Sequence, residues 1–410
     1  MILGNLFNKH YQQLAPQPNT KSLIIRSVGK LLFLISLVQL GHAQDLTSDI
    51  TPISVEDDHD FSGYDLLEIQ DQRLFVLAEH WHNIQSVPKA TLKLLQFLHG
   101  RANVRILAIE HGKSVASMIN QYLETGNEEM LKHITRNTMF WGQENRNFFQ
   151  SLRAFNLSLA KEERILVKSI DIEYKQEAAI FRINQLISNQ EIPDNLSQTV
   201  GLFKSIYEET KPHRESFDGL SIMYYYERDL VQQLVIETIN ELEDKSQKFI
   251  DFFGNDFTEF ATMILEMDDG LTFDYTNPNQ HYRFRDRLIY KNFMELHSQY
   301  PEVGILCPIG MRHMMKNSSL SDLNIRPSSP YKDKVTYVRV TALYKKSINA
   351  GDLKKINYHF PNQLKVNRAT LIKHDPETSV LKSSKGFDYT LFINESGSLT
   401  PFENVLTEQY

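Results

Sequence analysis

The segment Arg73–Lys89 reads RLFVLAEHWHNIQSVPK, and its first half decides the fold. Leu74 to Ala78 form an unbroken apolar run, and Glu79, His80 and His82 follow at once. A run of that length fits a strand covered on both faces, as a parallel sheet requires. Ser86 and Pro88 then stand where a helix begins, the serine as its cap and the proline in its first turn. Leu92, Leu95 and Leu98 supply a buried stripe, and Gly100 a stop.

The same alternation continues outward. VRILAIE, from Val104 to Glu110, is a second strand, followed by a helix from about Ser114 to Leu123 that stops near Gly126. A helix over Glu144 to Leu159 leads into RILVKSIDIE, a third strand ending near Asp171. Residues of about 175–266 are charge-rich and helical, and are taken as an insertion within the domain. A helix around Tyr282 to Gln299 feeds EVGILCPIG, a fourth strand ending at Gly310. VTYVRVTALY and FDYTLFIN add strands at the sheet's other end. Strands alternating with helices predict an α/β fold, with a mixed, largely parallel central sheet flanked by helices.

Bulk properties narrow the function. The 410 residues include 44 Lys and Arg against 51 Asp and Glu, a net charge of −7. Residues 1–43 hold Lys9, Lys21, Arg26 and Lys30 and no acid, then LLFLISLVQL and GHA. That is the layout of a secretory signal peptide, with an apolar stretch too short to span a bilayer, so export to a periplasmic or extracellular setting is expected without stable membrane insertion. Taking those four positive charges from −7 leaves −11 on the rest. So acidic a chain disfavours nucleic acid and leaves a small-molecule substrate as the expected partner. Residues 44–60 read as a polar linker and 61–410 as one domain. Cys307 is the only cysteine, in an apolar run that suits an inert buried thiol. Oligomeric state is not encoded in any recognisable pattern.

Ionisable groups gather at strand ends. Glu79, His80 and His82 follow the first strand, Glu110 and His111 the second, Asp171 and Glu173 the third, and His313 the fourth. Open α/β sheets bind ligands outside the carboxyl ends of their strands. A histidine beside a carboxylate can act as a general base, because the carboxylate fixes its tautomer and stabilises the imidazolium. Arg285, on the helix before the fourth strand, is a candidate to stabilise an oxyanion, and Asn292 lies two turns later on the same face. One strand-end histidine alone is more often a hydrogen-bonded structural group; four such ends on one edge are harder to explain that way. His80 and His82 also have the H-x-H spacing of a metal pair. Asp286 has a structural reading, as partner of a neighbouring arginine. His99, His133 and His297 lack comparable surroundings. No G-x-S-x-G elbow, P-loop or C-x-x-C occurs.

These residues resemble the erythromycin esterase-like proteins, within a fold group that includes ChaN-like haem-binding and Tiki/TraB-type proteins. LAEHWH is similar to the family's G-E-x-x-H through Glu79 and His82, and LAIEHG supplies Glu110. FWGQENRNFFQSLRAFN resembles the W-x-x-E and L-R-x-x-N segments through Trp141, Glu144, Arg153 and Asn156. RDRLIYKN resembles R-D-x-x-M-A-E-N through Arg285, Asp286 and Asn292, and GMRH retains His313.

The resemblance implies an α/β hydrolase in which His82 activates water, oriented by Glu79 or Glu110, while His313 and Arg285 polarise the carbonyl. His80, His111, Glu144, Asp171 and Asn292 would line the substrate site. Ala78, Gly310 and Lys291 depart from the family's Gly, His and Glu. Those departures keep two alternatives open: a hydrolase using a divalent metal, of the Tiki/TraB type, and a non-catalytic ligand-binding protein, for haem or another ligand.

Overall fold

Glu79 ends a strand at the middle of an eight-stranded sheet, and that position organises everything around it. The structure, a computed structural model, describes residues 50–55, 60–79, 82, 84–173, 176–187, 190–215, 228–271, 278–314, 318–342, 369–374 and 386–393. Among them the strands are β1 (Ile50–Ile53), β2 (Leu74–Glu79), β3 (Val104–Ile109), β4 (Leu166–Ser169), β5 (Gly304–Gly310), β6 (Val335–Ala342), β7 (Ala369–Lys373) and β8 (Tyr389–Ile393). Their order is β1-β7-β8-β6-β2-β5-β3-β4. The six strands from β8 to β4 are parallel, and β7 pairs antiparallel with both β8 and β1. Register sets Glu79 directly opposite Gly310, so β2 and β5 end level with each other.

Helices cover both faces. The helices are α1 (Val87–Ala102), α2 (Lys113–Thr125), α3 (Glu128–Asn137), α4 (Gln143–Ser158), α5 (Gln176–Ile187), α6 (Val200–Glu215), α7 (Arg228–Phe253), α8 (Phe257–Leu271), α9 (Pro278–Gln299) and α10 (Ser319–Ile325). Side chains alternate along β2 as a pleated strand demands. Phe75 and Leu77 enter a core shared with α1, α2 and α4, while Leu74 and Val76 enter a second core with Ile289 and Phe293 of α9. Each such fully buried side chain contributes about 1.5–3 kcal/mol. This two-sided burial is why the strand reads as a continuous apolar run.

The helical stretch has a core of its own, formed by Phe203, Phe249, Phe260 and Met267 among others. It is tied to α2 by polar contacts. Ser117 donates to Glu259 at 2.5 Å, Arg182 Nη1 donates to Gln121 at 2.7 Å, and Lys113 pairs with Glu266 at 3.0 Å.

Several local expectations are corrected. Ile50–Ile53, inside the stretch read as a linker, forms an edge strand. Ser86 occupies the N-cap position of α1, but its side chain makes no capping hydrogen bond. Helix α1 runs past Gly100 to Ala102, and Asn103 ends it in the left-handed region at φ 51°. Asparagine tolerates that conformation through its short polar side chain. Helix α3 and strand β7 are additions; Asn127 caps α3 by accepting from the N–H groups of Glu129 and Met130. The leader at 1–43 lies outside the described residues. No helix among the described residues is long and apolar enough to cross a membrane.

Candidate functional site

Four neighbouring strands, in the order β2, β5, β3 and β4, bring their carboxyl ends to one edge of the sheet. Glu110, immediately after β3, is the hub of the groups gathered there. Its Oε2 accepts the Gly310 N–H at 2.7 Å, from the adjacent β5. Its Oε1 accepts from Arg285 Nη2 at 2.9 Å and meets His313 Nε2 at 3.1 Å. Burial opposes the charge on this carboxyl, but the positive His313, its hydrogen bond, His82 and Arg285 outweigh that. Together they hold Glu110 well below the usual carboxylate range.

The helix α9 delivers a second tier of charge. Arg285 Nε lies 3.0 Å from Asp171 Oδ1, and Nη2 also bonds Asp171, so one guanidinium bridges the ends of β3 and β4. Its planar fork suits that bidentate role. His313 sits in the one-turn helix after β5, with Nδ1 2.8 Å from Asp286 and only 3% of its side chain exposed. Burial would lower its pKa. The charge of Glu110 and the hydrogen bonds to Asp286 and Glu110 reverse that and raise it to about 9. Asp286 thus pairs with His313.

His82 stands apart from this tier, at the rim, with 39% of its side chain exposed. Its Nδ1 is 3.2 Å from Glu79 Oε2, and its Nε2 is 3.8 Å from Glu110 Oε2, beyond direct hydrogen-bonding distance. Withdrawal from water opposes protonation, but the Glu79 hydrogen bond and the charge of Glu110 prevail, and the pKa rises to about 9. Gly310 makes room for this arrangement. A Cβ there would stand 3.2 Å from His82 Nε2 and 3.4 Å from Glu110 Oε2.

A cavity of about 50 Å³ opens beside Glu79, His82 and Glu110. Its further walls come from α1 and α4 and the turn before α4, so it lies on the opposite side of Glu110 from Arg285 and His313, neither of which lines it. The donors of these two, expected to polarise a substrate carbonyl, are directed to Glu110 and Asp171, and those of His313 also to Asp286.

The other expected positions divide clearly. His111 is buried, lines the cavity and lies 4.9 Å from the Phe140 ring. Asp171 anchors Arg285. Asn292 donates to the Ile170 carbonyl at 3.0 Å, which ties α9 to the end of β4 and keeps the amide out of the cavity lining. Glu144 accepts from Gln85 at 2.9 Å and does not line the cavity. His80 lies outside the described residues.

Sequence reasoning missed the Gly310 N–H, the Asp286–His313 pair and the aromatic wall of Phe140, Phe148 and Phe149. The last had a signal in the repeated phenylalanines around Trp141. Glu173, a strand-end candidate, turns away to the α2 N-terminus, where its Oε2 accepts the Ser114 N–H at 2.9 Å. Burial and the nearby Glu266 push it up to about 8.

Among the described residues, no three His, Cys, Asp or Glu side chains surround a common metal position. Glu110 is already engaged by three N–H donors, one of them a permanently charged guanidinium, which makes it a poor cation ligand.

No protein-family profile matches the chain, and no curated protein does. Solved structures do. A Bacillus cereus protein aligns at TM-score 0.57 and 15% identity, over 87% of this chain and 98% of its own. A mutant erythromycin esterase in its open conformation aligns at 0.56 and 12%, over 85% and 98%. A succinoglycan biosynthesis protein aligns at 0.58 and 13%, over 88% and 98%. At such identities the likeness concerns the fold, and the chain has an erythromycin esterase-like fold.

Proposed function

We propose that the protein hydrolyses an ester or related acyl bond, with His82 as the general base. The observation that carries this reading is the Glu79–His82 pair facing Glu110 beside a cavity that all three line. Glu79 on Nδ1 fixes the ring so that Nε2 faces the reacting side. Nε2 takes a proton from water as its oxygen attacks the acyl carbon, and returns that proton to the leaving alcohol. The products are a carboxylic acid and an alcohol. Glu79 and Glu110 stabilise the imidazolium formed between these steps, while Arg285, His313 and Gly310 hold Glu110 in place. The fold shared with an erythromycin esterase supports a hydrolase and a small-molecule substrate.

No side-chain nucleophile is needed. Cys307 is fully buried, and burial with the nearby Glu110 and Glu79 holds its thiol well above the ordinary range. The metal-assisted alternative has less support, given how Glu110 is engaged. The basic and then apolar run at 1–43 supports export, and N-terminal sequencing of the protein recovered from its cells tests it. For the reaction, a panel of aryl and alkyl esters should show turnover by the wild type, reduced at least ~100-fold in His82→Ala. Equal turnover by His82→Ala would refute the assignment.

A further inference from the structure

The cavity has a direction. His82 is the most exposed of the residues that line it, with 39% of its side chain open to solvent, whereas Val87, Pro88, Leu107, Phe148 and Phe149 are buried. Of the polar side chains among its walls, His111 packs its ring against Phe140, and Thr91 and Asn145 bond to nearby backbone. Thr91 Oγ1 donates to the Val87 carbonyl at 2.9 Å, and Asn145 Nδ2 to the Trp141 carbonyl at 3.0 Å, each within its own helix or at its start. Phe149 is completely buried and packs edge-on against Phe140 at 5.3 Å and Phe148 at 5.0 Å. A wall braced in this way does not give easily.

The geometry points to this cavity as an acyl pocket that accepts a short, unbranched apolar acyl group of about three to four carbons including the carbonyl. The inference rests on the hydrolase reading of the same site. Orientation follows from where the proton must go. The leaving alcohol has to face the group that protonates it, and His82 is on the solvent side of the cavity with 39% of its side chain exposed. The acyl chain is therefore the part that points inward, and the alcohol lies outside, where its size is less restricted. Length follows from volume. An apolar cavity of about 150 Å³ takes a benzene ring, so one of about 50 Å³ has room for about two or three carbons beyond the reacting carbonyl. Longer chains would have to displace packed aromatic rings.

The test uses the full chain, with p-nitrophenyl acetate, butyrate and octanoate as substrates and butyramide and octanamide as neutral ligands followed by NMR. The butyrate ester should be cleaved at least tenfold faster than the octanoate, judged by kcat/KM, and butyramide should bind where octanamide does not. Met139→Ala enlarges the pocket at a half-buried turn position and should raise the octanoate-to-butyrate ratio several-fold. Cleavage of octanoate as fast as butyrate, or binding of octanamide as tight as butyramide, would overturn the inference. If no ester is cleaved but butyramide alone binds, the short apolar pocket stands and the hydrolase reading falls. If neither amide binds and no ester is cleaved, both fall.

Discussion

His313 should make the protein lose stability as the solution becomes alkaline. Its ordinary pKa of 6.5 is raised to about 9 in the folded protein by Glu110 and Asp286, against the opposing effect of burial. A group whose pKa is higher folded than unfolded stabilises fully below its unfolded value, and that contribution is lost as pH climbs through the folded one. The window is therefore pH 6.5 to 9. A shift of about 2.5 units corresponds to about 3 kcal/mol at ~1.4 kcal/mol per unit. With only 3% of the side chain exposed, little of this is screened by water. Urea unfolding of the wild type and of His313→Gln, each at pH 6 and pH 9.5, isolates the effect. His82 titrates in a similar range in both proteins, so the difference between the two pH-dependences is the quantity to read. The wild type should lose about 3 kcal/mol more than the variant. A difference below about 0.5 kcal/mol, or an NMR titration of His313 near 6.5, would refute the reasoning.

Two glycines give further tests. Gly310→Ala places a methyl 3.2 Å from His82 Nε2, which the half-exposed ring can relieve by a small displacement. Ester hydrolysis should fall about tenfold with a stability change under ~1 kcal/mol, since small misplacements of a reacting group are costly and small clashes at a mobile ring are not. Unaltered kcat would show that Nε2 does not need its present position. Gly112→Ala meets the Glu173 backbone Cα at 2.7 Å as well as its carboxylate, so the end of β4 and the start of α2 must separate. Thermal or urea unfolding should show a loss of about 1–3 kcal/mol, and a variant as stable as the wild type would argue against that close approach.

The central parallel strands β2 and β3 were readable because each is buried on both faces. Leu74–Ala78 is apolar without a break and Val104–Ile109 is interrupted only by Arg105, and the sheet places helices over both sides of them. Glu110, His82 and His313 were also readable, since α/β topology sends strand ends to one edge. What stayed hidden depended on distance in sequence. Strand β1 is four residues long and is held by β7, more than 300 residues away. The partition of charges was hidden for the same reason. Nothing in RDRLIYKN reveals that Asp286 meets His313 or that Arg285 turns to Glu110 and Asp171, because α9 approaches Glu110 from the face opposite the cavity. Local patterns specify which groups reach the edge; long-range packing specifies which of them line the cavity.

The central claim, that a Glu79-supported His82 is the general base, is tested most directly by the pH dependence of kcat/KM for a cleaved ester. That profile reports the free enzyme's ionisations. With His82 raised to about 9, the wild type should gain activity about tenfold per pH unit from pH 7 until a plateau above 9. In Glu79→Gln the rise should move to lower pH, because the hydrogen-bonded carboxylate that favours the imidazolium is gone. A profile flat between pH 7 and 10, or a rise that Glu79→Gln leaves in place, would contradict the account.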